Sequence, residues 1–91
     1  MTEPRPYRST PIFDENTLPV ALRGEHRTKA GVWGLIRVIE GELNLTYVDP
    51  HTEKLLSPGQ PGVISPEQIH FVTPLGKVKI QVDFYNEPPD L

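Results

Sequence analysis

Apolar side chains recur in this chain at every second position, in short runs cut by proline and glycine. In KVKIQVDFY, residues 77–85, Val78, Ile80, Val82 and Phe84 share one parity, and Lys77, Lys79, Gln81, Asp83 and Tyr85 take the other. Successive side chains of a strand point to opposite faces, so this run has one core face and one largely polar face. GVWGLIRVIEG repeats the pattern, with Val32, Gly34, Ile36 and Val38 on one face and Trp33, Leu35, Arg37 and Ile39 on the other. Apolar residues on both faces imply that both are partly covered. The 11 prolines and 7 glycines fall between such runs and not in a low-complexity block. No proline- and glycine-free window of helical length carries a period of about 3.6 residues. The chain reads as all-β, with helix a minor component.

Punctuation divides it further. Prolines at 4, 6 and 11 deny backbone donors and favour extended geometry, so residues 1–11 are expected to form an arm lying on the domain, with any pairing limited to a sheet edge. From Pro19 to His26 the alternation predicts a strand with His26 facing inward, followed by a turn over Thr28 to Gly31. Glu40-Gly41 is read as the turn of a hairpin into ELNLTYV, and DPHTE as a turn into Lys54 to Leu56, giving a three-stranded meander. SPGQPG is a rigid loop, and VIS and IHFV are two short strands separated by Pro66-Glu67-Gln68. Seven or eight strands of this kind close their edges as a small barrel or a two-sheet jelly roll. A chain of 91 residues has room for one domain, spanning residues 1–91, with a modest core. Trp33, Leu35 and Ile39 opposite that core would make a costly exposed patch, so a homodimer through this face is expected.

Composition removes several function classes. A net charge of −3, with the basic residues scattered, gives no stripe for a phosphate backbone, so nucleic acid is not an expected partner. There is no cysteine, hence no disulfide framework, thiolate metal site or cysteine nucleophile. Apolar runs are far shorter than the roughly 20 residues of a membrane span, and the acidic, proline-rich start lacks the regions of a signal peptide. A cytoplasmic location without membrane partners is the expectation.

The segments RSTPIFDENTLP, GEHRTKAGVWGLIRVIEGELNL, ISPEQIHFV and VDFYNEP resemble the small cupin-like domain of TehB/YeaR-like proteins. The likeness rests on the ordered set Arg8-Ser9-Thr10-Pro11, His26, Trp33-Gly34, Gly41, Pro66, His70 and Phe84. It implies a double-stranded β-helix (jelly-roll) barrel and an association with tellurite resistance or related stress responses. The methyltransferase half found in some family members has no counterpart, because no glycine-rich strand-turn-helix is present. By the same resemblance His26 and His70 occupy two of the four positions at which cupins hold a divalent metal. Thr28 and Trp33-Gly34 stand where a second histidine and a glutamate are usual.

Two readings of these histidines follow. In one, they hold a transition metal such as zinc, with water or a bound molecule completing the shell. In the other, each is a partly buried imidazole hydrogen-bonded within the fold, and the domain is a metal-free sensor or interaction module. Trp33 and Arg37, two pleats apart on one face, form a candidate aromatic-cation patch for a small ligand or partner. His51, in the DPHTE turn, is expected to be exposed without a role. With no complete catalytic motif, these binding readings rank ahead of a third, an enzyme whose metal is held weakly by the two histidines.

Overall fold

The computed structural model describes residues 4–89. Its backbone of β-structure consists of β1 (Arg8–Ser9), β2 (Phe13–Asp14), β3 (Trp33–Tyr47), β4 (Thr52–Leu56), β5 (Gly62–Ile64) and β6 (His70–Tyr85), with one short helix, α1 (Val20–Arg23). All pairings are antiparallel and belong to one sheet. β3 and β6 form its long central pair. β4 and β5 continue it along the free edge of β3, at opposite ends, and β1 and β2 along the free edge of β6. The all-β expectation holds. The described strands do not close into a barrel, because neither edge pair bonds to the other.

The sequence reading divided both central strands in two. Glu40-Gly41 does not turn a hairpin: β3 runs through it, and the register with β6 slips between Val38 and Glu40 and again between Gly41 and Leu43. Gly41 has φ of 80° and supplies the left-handed residue of a bulged ladder, which a sequence pattern does not distinguish from a turn. The same holds for β6. IHFV and KVKIQVDFY are one strand, carried past Pro74 and a Gly76 with φ of 89°. Bulges bend a strand and deepen its twist. Here they bring the two ends of β6, His70 to Val72 and Ile80 to Phe84, to the walls of one cavity.

The expected strand over Pro19 to His26 is also absent. Val20–Arg23 makes one helical turn after Pro19, with the Leu22 amide donating to the Pro19 carbonyl at 3.0 Å. Proline's fixed φ suits the start of a helix, and the alternating stretch is too short to decide between the two periods. The turn leaves Val20 exposed and lays Leu22 against the core. Of the expected N-terminal arm, residues 1–3 lie outside the described residues; β1 pairs at the sheet edge, Arg8 opposite Phe84 and Ser9 opposite Asp83. His51 is exposed in its turn.

The core lies between the concave faces of the bent ladder. Leu43, Leu45, Leu56, Ile64 and Ile80 are fully buried there, each worth roughly 1.5–3 kcal/mol of transfer free energy. The inward parity of both central strands, Ile36, Val38, Val78, Ile80 and Val82, is as the alternation requires. On the outer face Leu35, opposite Asp83 in the ladder, is only 6% exposed within the single chain, so the expected apolar patch shrinks to a half-buried Trp33 and an exposed Ile39. Among the described residues, no helix is long and apolar enough to cross a membrane.

A Cβ at Gly41 would lie 2.1 Å from the Lys77 carbonyl oxygen, whereas one at Gly59, with φ of 84°, meets nothing within 4 Å. Gly59→Ala should therefore cost only the left-handed backbone penalty of about 1–2 kcal/mol. Gly41→Ala should cost clearly more in the same urea titration, because the cross-strand approach at the bulge is lost as well. Equal losses would show that the bulge is not tightly set.

Candidate functional site

The histidines meet through their backbones first. His26 and His70 exchange both ladder bonds, His26 amide to His70 carbonyl at 3.0 Å and His70 amide to His26 carbonyl at 2.9 Å. This bridge docks the segment after α1 on the first residue of β6. It places the ring centroids 4.0 Å apart with their planes tilted by 58°. Each Nδ1 faces a main-chain carbonyl, that of Gly24 at 2.9 Å for His26 and that of Gln68 at 2.8 Å for His70. A carbonyl only accepts, so each Nδ1 carries the proton, and a neutral ring then has a bare Nε2.

His70 is 3% exposed, and no buried side-chain nitrogen or oxygen is left without a partner among the described residues. Its Nε2 has no hydrogen bond, so it must reach open space, and the space that His70 borders is the cavity. Burial pushes the His70 imidazole down to about 4; the Gln68 contact opposes this and the neighbouring His26 adds to it. The ring is neutral at pH 7 and an acceptor at Nε2, but too weak a base to hold a proton there.

The cavity has a volume of about 310 Å³. Ile36, Ile64, Val72, Ile80 and Val82 make its floor and walls, and Leu22 and the segment from His26 to Lys29 close one side. That segment is held by Thr28, whose hydroxyl donates to the Val32 carbonyl at 2.8 Å and accepts from the Glu67 amide at 3.2 Å. Tyr7, Arg8 and Thr10 of the arm also border it, tied to β6 by Tyr7 amide to Phe84 carbonyl and Thr10 amide to Val82 carbonyl, both 2.9 Å. Arg8, Arg27 and Lys29 are exposed at its rim, and among the described residues no aspartate or glutamate lines it.

Whether this set fits a resident divalent metal can be judged on its donors. Two imidazoles in contact, each with its Nδ1 oriented by a carbonyl, are a suitable pair. The rest falls short. No group of three or more His, Cys, Asp or Glu among the described residues is placed to hold an ion. Two imidazoles on one tetrahedral zinc have centroids about 5 Å apart, so rings in contact at 4.0 Å would have to spread. Three rim cations would oppose an added positive charge.

Trp33 and Arg37 lie on the face away from the cavity. Arg37 is committed there: its Nε donates to Asp83 at 2.7 Å, and its Nη2 to Gln81 at 2.7 Å and Asp83 at 3.2 Å. Ser9 donates to the same carboxylate at 2.7 Å. Burial works to raise the Asp83 carboxyl, but the hydrogen bonds from Arg37 and Ser9 and the Arg37 charge outweigh it and hold it below its ordinary value. Among the described residues the cation over an aromatic ring is Arg8, 5.4 Å from the Phe84 centroid, not Arg37 over Trp33. The rim cations escaped the sequence reading because each is remote from the histidines or unremarkable beside them. Only the pairing of β1 with the end of β6 brings Arg8 to the cavity.

The fold and the site define a small all-β domain: an open, bent antiparallel sheet around a mostly apolar cavity with two imidazoles in its wall. Residues 8–82 match the TehB-like domain, and the chain belongs to that family. It is similar to the crystal structure of TehB from Haemophilus influenzae, with 25% identity and a TM-score of 0.82 over 91% of this chain and 31% of that one. The chain thus spans about a third of that protein. It is similar in fold to a protein of E. coli strain K12, with 24% identity and a TM-score of 0.80 over 99% of this chain and 96% of that one. A more distant likeness in fold is FeII HppE, 19% identical with a TM-score of 0.61 over 81% of this chain and 40% of that one. No curated protein matches the chain in sequence.

The buried imidazole makes stability depend on pH. The unfolded ring takes up a proton near its ordinary 6.5 and the folded ring only near 4, so stability is complete above 6.5 and falls as pH drops between the two values. The loss should approach about 3 kcal/mol. Asp14, Asp83 and Glu53 are also held below their ordinary values, so they too lose stabilisation towards the acid end, equally in the wild type and in a His70 variant. Urea unfolding at about pH 7 and about pH 4.5 should therefore show a large drop in the wild type and a much smaller one in His70→Gln. Parallel drops would contradict the burial argument.

On the other face, Arg37→Ala leaves the buried Asp83 carboxylate without its charged partner. A loss of about 3 kcal/mol is expected in thermal or urea unfolding, in the range for breaking a buried pair, without any effect on binding in the cavity.

Proposed function

We propose that this domain binds a small organic molecule in the cavity bordered by His26 and His70, and works by binding and not by catalysis. The observation that carries this reading is the bare Nε2 of a buried, neutral His70 at the hydrocarbon wall of a cavity whose charged groups sit at its rim. Such a group lacks a partner until something occupies the space, and an apolar hollow with few oriented polar groups is the usual form of a small-molecule site. We read the bent, open sheet as a reduced form of the cupin-like jelly roll, with the N-terminal arm and the segment from His26 to Lys29 standing in for walls that a closed barrel would supply. Membership of the TehB-like family supports a role in tellurite resistance or related stress responses.

The metal reading rests on the same two nitrogens and is separated from this one by a single set of samples. Tag-free protein is tested by thermal shift against a chemically diverse fragment set, with and without a chelator, and binders are mapped by amide and histidine NMR shifts. Binding that survives chelation, perturbs His26 and His70, and is lost in Val82→Phe, which fills part of the cavity, is the expected result. Stoichiometric metal in the purified protein that disappears in His26→Ala and His70→Ala would replace the reading with a metal centre. Failure of every fragment to perturb either histidine would overturn it.

A further inference from the structure

The polar groups of the cavity are distributed in a way that specifies more than a size. Its His70 wall presents an acceptor. Nδ1 of His70 spends its proton on the Gln68 carbonyl at 2.8 Å, so the ring nitrogen left for the cavity is a lone pair. A ligand carbonyl or carboxylate placed there would set lone pair against lone pair, whereas a hydroxyl or an N–H group would donate. The walls between are hydrocarbon: Ile36, Ile64, Val72 and Ile80.

The rim is cationic. Arg8, Arg27 and Lys29 border the cavity, all exposed, and none pairs with a carboxylate among the described ion pairs, which join Arg37 to Asp83, His51 to Glu53 and Lys79 to Glu40. Glu25 and Glu67 are close along the chain to the histidines, but neither lines the cavity. Arg8 is fixed in place, its guanidinium 5.4 Å from the Phe84 ring centroid and its backbone paired with β6. Three cations at one opening, without a carboxylate partner among the described residues, stand out in a chain of net charge −3. Cations around an opening with low-dielectric walls raise the local concentration of anions. About 310 Å³ holds roughly ten water-sized groups.

We propose that the ligand is a small hydroxy-carboxylate or its amino counterpart, of about ten non-hydrogen atoms. Its carboxylate lies at the rim against Arg8, Arg27 and Lys29, its apolar body on the isoleucine and valine walls, and its O–H or N–H donates to Nε2 of His70. The assignment rests on the reading of the cavity as a small-molecule site and adds both the charge of the ligand and its direction of entry.

The test uses matched compounds on the full chain: 4-hydroxybenzoate and 6-hydroxyhexanoate, their neutral amides, and benzoate and hexanoate without the hydroxyl. At least one hydroxy acid should bind, with affinity falling about tenfold in its amide and several-fold in the acid lacking the hydroxyl. Added salt should weaken the acid and leave the amide unchanged. Arg8→Gln and Arg27→Gln, on exposed positions that the fold tolerates, should weaken the acid towards the affinity of the amide. Equal binding of acid and amide, or an acid indifferent to both substitutions, would overturn the ligand class while leaving the cavity as a binding site. The ligand class is overturned in the same way if inorganic phosphate competes as well as the hydroxy acid, or if neither hydroxy acid binds although other fragments do. If no compound of any kind perturbs His26 or His70, the reading of the cavity falls together with the ligand class.

Discussion

The antiparallel ladder between β3 and β6 holds the rest of the structure in place. It runs from Trp33 opposite Tyr85 to Tyr47 opposite His70, and every other strand attaches to one of its two free edges. A straight ladder of that length would put His70 and Phe84 at opposite ends of a flat sheet. The register slips on either side of Glu40 and Gly41 bend it, and the bend makes a cavity between its arms. The same bend allows a chain of this size to bury a core on one side while its outer face is sealed locally, by Arg37, Asp83, Ser9 and Gln81 around Leu35. Conformational freedom at Gly41 is therefore a global requirement and not a local convenience.

Parity was legible in the sequence, and continuity was not. Alternation identified which residues of GVWGLIRV and KVKIQVDFY face the core, because a strand with one buried face must repeat every second residue. Glycine at 41 and the Pro74 to Gly76 stretch were read as ends of strands, since the same residues serve a tight turn and a bulge, and only the partner strand decides which. The one-turn helix after Pro19 was missed for a related reason. Four residues are compatible with either period, and the choice was made by Leu22 finding the core.

The candidate site was half legible. His26 and His70 were paired on resemblance, and their backbones do form a bridge that brings the rings into contact. What the rings do depends on atoms that a sequence does not show. The carbonyls of Gly24 and Gln68 take the Nδ1 protons and leave Nε2 as the exposed function. Arg8 could not be associated with the site before the arm was seen to pair with the end of β6, at a sequence separation of 76 residues from Phe84. Trp33 and Arg37, chosen for their shared face, do share it, but Arg37 is engaged with Asp83 and Gln81 on the side away from the cavity.

The chemistry of the cavity depends on the state of one imidazole. Long-range proton–nitrogen correlation NMR on uniformly labelled protein at about pH 7 reads the protonation of each ring nitrogen directly. The geometry predicts for His70 a neutral ring with its proton on Nδ1 and a bare Nε2, unchanged down to about pH 5 because burial holds its value near 4. A proton on Nε2, or an imidazolium at neutral pH, would contradict both the hydrogen-bond assignment and the acceptor-lined cavity built upon it.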